Sequence, residues 1–297
     1  MKILKKHTYS DGDNIENFLL KFFQSNPSEK DIENVLSSNT EWAIKYHLSK
    51  DRENLLNWYS FKKGSKLVEI GAGCGAVTGA FLEQDVEVTA VELSKRRADI
   101  IRNRFKHRKN LTVFDGNIHE QKLKEKYDYA TLIGVLEYAG RFSDGENPFK
   151  KMLEDTKRLL KKDGILIIAI ENKLGLKYWR GAPEDHTNRL FDSLQDYPDY
   201  DGIRTFSRKE LKEMLEDSGY KNVQFYYPLP DYKFCYEIFS DNYLPSKNHR
   251  IASSIFPSPH PSESFYLFDE KLVSNTLQNA GLFEDFANSF LVFGTNE

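Results

Sequence analysis

The sequence predicts an α/β fold in which a mainly parallel β-sheet is covered by helices on both faces. Short apolar segments alternate with helical patterns along the chain, and most of these segments lack a polar face. The segment at 67–70 also runs into three alternate glycines before a helix. Glycine permits positive φ and close approach of a ligand, while a helix N-terminus offers unpaired N–H groups. The stretch at 67–78 is therefore typical of a nucleotide-binding turn.

The other elements follow from apolar periodicity and capping signals. Strands are predicted at 67–70, 86–91, 111–114, 129–135, 165–170, 223–227 and 287–294. Helices are predicted at about 75–84, from the N-cap Ser94, near 148–161, from the capping box of Ser207 and Glu210 to about 218, and at 269–280. The last strand is expected to pair antiparallel beside the strand at 223–227. Ligands should bind at the carboxyl ends of the parallel strands.

The predicted domain organisation has one main domain with additions. Residues 1–62 show apolar residues at helical spacing before the first strand, which predicts an N-terminal helical lid or extension. Residues 63–297 should form the main domain. Two insertions, at about 171–204 and 228–285, are rich in Gly, Pro or aromatic residues and are expected to form a substrate cap.

Composition excludes several classes of protein. The net charge of −3 indicates no polyanionic partner, and the basic run at 95–109 is best explained as a solvated helix face, so there is no strong nucleic-acid signal. No apolar run reaches the roughly 18 residues of a membrane span, and the first residues lack an apolar signal core, which predicts a cytoplasmic protein. Cys74 and Cys235 show neither CxxC nor metal-ligand spacing, so no metal is predicted.

The glycine-rich turn is compatible with two cofactors until the preceding strand is considered. Gly71, Gly73 and Ala76 satisfy the dinucleotide pattern G-x-G-x-x-G/A, and Glu92 lies about 20 residues on, where a ribose-binding acid belongs. However, Glu69 precedes the glycines and gives E-x-G-x-G-x-G. This acid suits a ligand with an ammonium and a sulfonium and would repel a pyrophosphate.

The ordered motifs resemble those of class I S-adenosylmethionine (SAM)-dependent methyltransferases over roughly 45–297. This resemblance implies a Rossmann-like, seven-stranded sheet with a reversed final hairpin, and S-adenosyl-L-methionine as the cofactor. It also implies that Glu69 and the glycines surround the methionine part, that Glu92 binds both ribose hydroxyls, and that Asp115 accepts from the adenine amino group. The implied cofactor residues are Tyr46, Glu69, Gly71, Gly73, Gly75, Glu92, Leu93, Asp115, Gly116, Asn117 and Gly134.

The stretch at 171–186 resembles a bacterial subgroup associated with glycan or surface-polysaccharide modification. His186 follows Asp185 there, which predicts a general base with an orienting acid, as methylation of a hydroxyl requires. Glu137, after the fourth predicted strand, is the third candidate catalytic residue. The predicted reaction is methyl transfer by in-line displacement to a hydroxyl of a sugar, glycan or similar small molecule.

Three alternatives stay open. An N-methyltransferase acting on a small amine or natural product would need no base. A SAM-binding interaction module without catalysis would not need Glu69, Glu92 and Asp115 together. An NAD dehydrogenase is disfavoured by Glu69. The residues after the fourth strand do not read D/N-P-P-Y/F and no Pro-Cys nucleophile is present, so exocyclic amine and cytosine C5 methylation are disfavoured. The sequence predicts neither the acceptor nor the oligomeric state.

Overall fold

A computed structural model describes residues 10–118, 123, 125–142, 145–246, 248–251 and 266–297. By its internal contacts the chain divides into two compact units, one ending at Thr131 and the other beginning at Leu132. Residues 1–9 of the predicted N-terminal segment and 252–265 of the second predicted insertion lie outside the described residues. The predicted boundary at 62/63 stays a prediction.

The first unit contains the N-terminal helices and the parallel strands. Its helices are α1 (Asp13–Gln24), α2 (Glu29–Ser38), α3 (Trp42–Leu48), a 3₁₀ helix (Lys50–Leu55), α4 (Thr78–Leu82) and α5 (Lys95–Arg104). Its strands are β1 (Lys66–Ile70), β2 (Glu87–Glu92) and β3 (Leu111–Asp115), and β4 (Tyr127–Ile133) runs into the second unit. Both β1 and β3 pair parallel with β2, so their carboxyl ends meet at one edge.

The second unit contains the antiparallel strands. Its helices are α6 (Ala139–Phe142), α7 (Pro148–Leu159), α8 (Leu176–Arg180), α9 (Arg208–Asp217), α10 (Glu270–Ala280) and α11 (Phe283–Phe286), with a 3₁₀ turn at Leu136–Tyr138. Its strands are β5 (Leu160–Glu171), β6 (Tyr220–Asp231), β7 (Phe234–Ser240) and β8 (Ser289–Asn296). Strand β8 pairs antiparallel with both β5 and β6, as predicted for the reversed end of the chain.

Within the described residues the sheet is mixed and has eight strands, in the order β3-β2-β1-β4-β5-β8-β6-β7. The predicted sheet of seven strands therefore has one strand fewer than the observed sheet. The additional strand, β7, forms an antiparallel hairpin with β6 inside the predicted insertion at 228–285. Part of that segment thus builds the sheet edge. Ser94 caps α5, and Ser207 with Glu210 forms the predicted capping box of α9.

The N-terminal helices are fixed by an apolar core and a buried ion-pair network within the first unit. Leu19 of α1 and Ile44 of α3 pack in one buried cluster with Cys74 from the glycine-rich turn. The guanidinium of Arg97 in α5 donates to Glu16 of α1 at 2.8 Å, and both side chains are almost fully buried. Helix α1 is therefore part of the folded body of this unit. Among the described residues, no helix is long and apolar enough to cross a bilayer.

Candidate active site

The glycine-rich turn between β1 and α4 adopts the backbone that the sequence predicts. Gly71, Gly73 and Gly75 all have positive φ, which side-chain-bearing residues rarely adopt. A Cβ at Gly75 would lie 2.8 Å from the ring of Phe105, so packing also demands glycine there. Apart from the adjoining residues of the chain, no described residue has an atom within 4 Å of a Cβ placed at Gly73. The backbone of Gly73 is therefore open to close approach.

Glu92 links the ends of two strands to this turn. Its carboxylate accepts a hydrogen bond from the N–H of Gly73 and another from the N–H of Ser94, both at 2.8 Å. The strand register pairs Glu92 with Asp115, and the Gly116 N–H donates to the Glu92 carbonyl at 2.9 Å. The structure thus brings together four of the predicted cofactor residues.

The other predicted cofactor residues of this unit have the following surroundings. The Glu69 carboxylate is buried and accepts from the Thr78 hydroxyl at 2.6 Å. Asp115 is exposed and accepts from Arg102 at 2.6 Å. The Tyr46 hydroxyl accepts from Arg52, whose guanidinium also lies over the Tyr46 ring. Leu93 is exposed and Asn117 is half-buried.

In the second unit, Gly134 directly follows β4 with positive φ, and its N–H donates to the carbonyl of Ala169 in β5. A Cβ there would lie 2.9 Å from the hydroxyl of Tyr232. Packing within the unit therefore already explains this glycine, and its predicted contact with the cofactor stays a prediction.

The second unit also holds a buried cluster of acids around His186. Glu137 lies in the 3₁₀ turn after β4, Glu171 ends β5, and His186 lies in the loop after α8. The His186 Nε2 lies 3.6 Å from Glu137 Oε1 and 3.7 Å from Glu171 Oε2. The Glu137 and Glu171 side chains are fully buried, and the His186 side chain is 5% exposed.

The acid that orients His186 is Glu184, and the predicted pairing with Asp185 is wrong. The His186 Nδ1 lies 2.9 Å from Glu184 Oε1, while Glu184 Oε2 accepts the backbone N–H groups of His186 and Thr187, both at 2.7 Å. Asp185 instead binds the Lys177 ammonium at 2.5 Å and the Tyr178 hydroxyl at 2.7 Å. Adjacent loop residues point to different partners, so Asp185 belongs to a neighbouring ion-paired group.

A family model described as a methyltransferase domain matches residues 41–225, which is more than half of the chain. The chain belongs to the methyltransferase-domain family. This membership confirms the predicted methyltransferase class.

Curated relatives match only in part. An uncharacterized protein of Methanocaldococcus jannaschii is 29% identical over 53% of this chain and 65% of its own length. The ribosomal RNA small subunit methyltransferase A of Treponema denticola is 33% identical over 25% of this chain and 26% of its own length. The chain therefore spans about a quarter to two thirds of the length of these relatives.

Solved structures show a similar fold. One is a complex of a Haloferax volcanii methyltransferase activator with a methyltransferase, at a TM-score of 0.52 and 14% identity, covering 97% of this chain and 99% of that one. Another is Haemonchus contortus phosphoethanolamine N-methyltransferase 2 with S-adenosyl-L-methionine, at a TM-score of 0.50 and 14% identity, covering 98% and 60%. At such identity the likeness shows the fold alone.

The acids around His186 favour its protonated form. Burial alone would lower the pKa of His186, but the carboxylates of Glu184 and Glu171 raise it well above its ordinary value. A protonated imidazole has no free lone pair, so His186 in this state donates to the acids around it.

Burial and nearby charges shift the pKa values of the buried acids in different directions. Burial raises the pKa of Glu137, with a further contribution from Glu171 and an opposing one from His186. Burial raises the pKa of Glu69 to about 8, against the hydrogen bond from Thr78. For Asp185 the burial effect is outweighed by the ammonium groups of Lys177 and Lys233, which hold its pKa well below the usual range.

Lys177 and Lys233 are side chains of the candidate site for which the sequence predicts no role. The Lys233 ammonium in the β6–β7 turn donates to Glu171 and lies 3.8 Å from Asp185. Lys177 in α8 contacts Asp231 at 3.8 Å as well as Asp185. Lys177 lies in the stretch at 171–186 without a predicted role, and Lys233 is far from its partners in the sequence. Only the folded hairpin brings it to them.

Proposed function

We propose that this methyltransferase transfers the methyl group of SAM to a hydroxyl of a sugar, glycan or similar small acceptor, and that Glu137 takes the proton. The observation that carries this proposal is Glu137 Oε2. This atom is fully buried and has no hydrogen-bond partner among the residues that the structure describes. A buried carboxylate oxygen normally has a partner, and a substrate hydroxyl would provide one. The resemblance of 171–186 to enzymes of glycan modification supports this class of acceptor.

His186 is a positioning residue in this scheme, in place of the base that the sequence predicts. Glu184 fixes its ring through Nδ1, which directs Nε2 toward Glu137 and Glu171. The positive imidazolium reduces the repulsion between these two carboxylates. Asp185, the remaining predicted catalytic residue, acts one step further away by fixing Lys177.

The cofactor is proposed to bind the residues of the first unit. Each carboxylate oxygen of Glu92 accepts one backbone N–H and retains acceptor capacity for a ribose hydroxyl. Glu69 would pair with the SAM ammonium beside the open backbone of Gly73. Asp115 is proposed to accept from the adenine amino group. The remaining proposed contacts in this unit are Tyr46, Gly71, Gly75, Leu93, Gly116 and Asn117, and the contact predicted for Gly134 stays a prediction.

The chemistry requires alignment and exclusion of water more than activation of the donor. Methyl transfer is an in-line displacement at a sulfonium, and attack neutralises the donor charge. Correct placement of the two reactants contributes several kcal/mol. A hydroxyl additionally has to lose its proton as the methyl group moves. Positioned general bases contribute about 10²- to 10⁴-fold to rate, and this is the share that we assign to Glu137.

An amine acceptor is the second candidate, favoured by the excess of acid in the cluster around His186. Its ion pairs join five carboxylates to two ammonium groups and one imidazole. An ammonium substrate would reduce that excess. However, an amine attacks through its free lone pair and needs no carboxylate base, so it leaves the unpartnered oxygen of Glu137 unexplained.

The test is a transfer assay with trideuteromethyl-labelled SAM and a panel of nucleotide sugars, glycolipids and small amines. The proposal predicts a labelled methyl ether, identified by mass and NMR. With the same acceptor, Glu137→Gln should lower the maximal rate by about 10²- to 10⁴-fold and leave SAM affinity nearly unchanged. Glu216→Gln, a solvent-exposed carboxylate on α9, serves as the matched control. A labelled amine, or a fully active Glu137→Gln variant, contradicts the proposal.

A further inference from the structure

We propose that His186, Glu137 and Glu171 bind one divalent transition-metal ion, which holds the acceptor hydroxyl during transfer. This inference rests on the proposed hydroxyl acceptor for the role of the ion, although the binding itself does not depend on it. The ligand atoms are Glu137 Oε1, Glu171 Oε2 and His186 Nε2, and the ion would replace the proton that Nε2 carries in the imidazolium form. Each of the three residues has a ligand atom that lies within 4.8 Å of a ligand atom of the other two. Glu137 Oε2 remains available to accept the proton.

The distances between the ligand atoms suit a shared ion better than direct hydrogen bonds. Nε2 lies 3.6 Å from the Glu137 oxygen and 3.7 Å from the Glu171 oxygen, beyond the range of about 2.7–3.2 Å for a normal hydrogen bond. Two ligands with bonds of about 2.1 Å to one tetrahedral ion lie roughly 3.4 Å apart. Small movements of the side chains would complete the coordination.

The groups behind the ligands match those of a built metal site. A metal-bound histidine typically donates its other ring N–H to a carboxylate, which fixes the tautomer and the ring. Glu184 has this relation to His186, with 2.9 Å between Oε1 and Nδ1, and is itself fixed by two backbone N–H groups. The other oxygen of Glu171 accepts from the Lys233 ammonium. Two of the three ligands are therefore held in place from behind.

An unpartnered ligand atom provides a second, independent observation. Glu171 Oε2 is fully buried, faces Nε2 and has no hydrogen-bond partner within the described part of the chain. Buried charges in proteins are paired or coordinate metals. The ion-paired group around it comprises these residues: Glu137, Glu171, Glu184, Asp185 and Asp231 with Lys177, Lys233 and His186. A metal-bound imidazole is neutral, so the five acids then exceed the two lysines by three charges, and a dication would reduce this excess to one.

The donor set indicates the class of ion and its use. One imidazole nitrogen with two carboxylate oxygens suits Mn²⁺, Fe²⁺ or Zn²⁺ better than a cation that prefers oxygen alone. Three protein ligands leave a coordination position for a substrate oxygen. A bound dication orients a hydroxyl and lowers its pKa. The loss of the acceptor proton to Glu137 Oε2 would then become easier.

The experiment is a titration of the full chain with Mn²⁺ after treatment with a chelator. Free Mn²⁺ gives a six-line electron paramagnetic resonance signal, so its loss counts the bound ions, and pulsed spectra report coupling to a ligand nitrogen. We expect one site per chain with nitrogen coupling. Glu171→Gln should weaken Mn²⁺ binding by at least about tenfold.

Asp231→Asn is the matched control, because it removes one charge from the same ion-paired group without removing a ligand. It should weaken Mn²⁺ binding several-fold less than Glu171→Gln. Mn²⁺ should raise the melting temperature of the wild type and of Asp231→Asn, but not that of Glu171→Gln. If a variant does not fold, the wild-type titration alone decides.

Absence of stoichiometric Mn²⁺ binding, absence of nitrogen coupling, or equal weakening in the two variants would overturn the inference. The titration needs neither SAM nor acceptor. Mn²⁺ binding without a methyl ether product would therefore contradict the proposed function alone, and a methyl ether formed by a chain that binds no Mn²⁺ would contradict the metal site alone.

Discussion

Replacing Glu92 by alanine should weaken SAM binding and also destabilise the protein. The carboxylate is proposed to accept two ribose hydroxyls, and a hydrogen bond to a charged group contributes about 1.5–3 kcal/mol. Allowing for solvent reaching the vacated space, we expect a loss of about 2 to 4 kcal/mol, or roughly 30- to 1000-fold in affinity. S-adenosylhomocysteine carries the same ribose and should lose the same factor.

The expected loss of stability comes from contacts that only the structure shows. The sequence predicts a ribose-binding acid at position 92, and the structure shows that its carboxylate also accepts the N–H groups of Gly73 and Ser94 in a buried setting. A buried N–H left without a partner costs about 1–3 kcal/mol. Burial disfavours the ionised carboxylate and raises the pKa of Glu92. Removing the side chain therefore also removes this desolvation cost. The net loss in free energy of unfolding should be about 1 to 3 kcal/mol.

Calorimetry with SAM and S-adenosylhomocysteine, together with urea unfolding, checks both parts. Glu87→Ala is the control, because Glu87 is an exposed carboxylate on the same strand. It should alter neither cofactor affinity nor stability by more than a few tenths of a kcal/mol. SAM binding by Glu92→Ala within threefold of the wild type would refute the assignment of Glu92 as the ribose ligand.

Two further predictions concern the first unit. Burial raises the pKa of Glu69 to about 8, and only the ionised carboxylate pairs with the SAM ammonium. Calorimetry should therefore show SAM affinity rising by up to about tenfold per pH unit from pH 6 toward 8. A wild-type affinity that changes with pH no more than that of Glu69→Gln would contradict this. Arg97→Ala breaks a buried ion pair and should cost about 3–5 kcal/mol in urea unfolding. The neighbouring Arg96→Ala, at a more exposed pair, should cost much less. Equal losses would contradict the structural role of the buried pair.

The sequence predicted the parallel strands well because their signals are local. Apolar runs, turn glycines and the Ser94 cap each act over a few residues, and the structure has β1, β2 and α5 within a few residues of their predicted positions. Strand β7 was missed for an equally local reason. Pro228 and Pro230 lie in β6 and are typical of a loop, but this end of β6 pairs only with β7, so neither proline has to donate to β8.

The candidate site was predicted less completely because its contacts are not local. His186 was recognised as a candidate, but Asp185 was predicted as its orienting acid where the structure has Glu184, since sequence does not show where adjacent loop side chains point. The pKa of His186 depends on Glu171, a strand end 15 positions earlier. Lys233 joins from a hairpin that was not predicted. The partners of His186 and Lys233 are therefore set by charge pairing between residues far apart in the sequence, which apolar periodicity does not predict.

The most direct test of the proposed activity is the product formed from trideuteromethyl-labelled SAM by the full chain. With a hydroxylated sugar or glycan acceptor, we predict one labelled methyl group in an ether linkage, formed by the wild type and by Glu216→Gln but nearly lost in Glu137→Gln. A labelled methylamine from the amine panel, with no ether from any hydroxylated acceptor, would contradict the proposed activity.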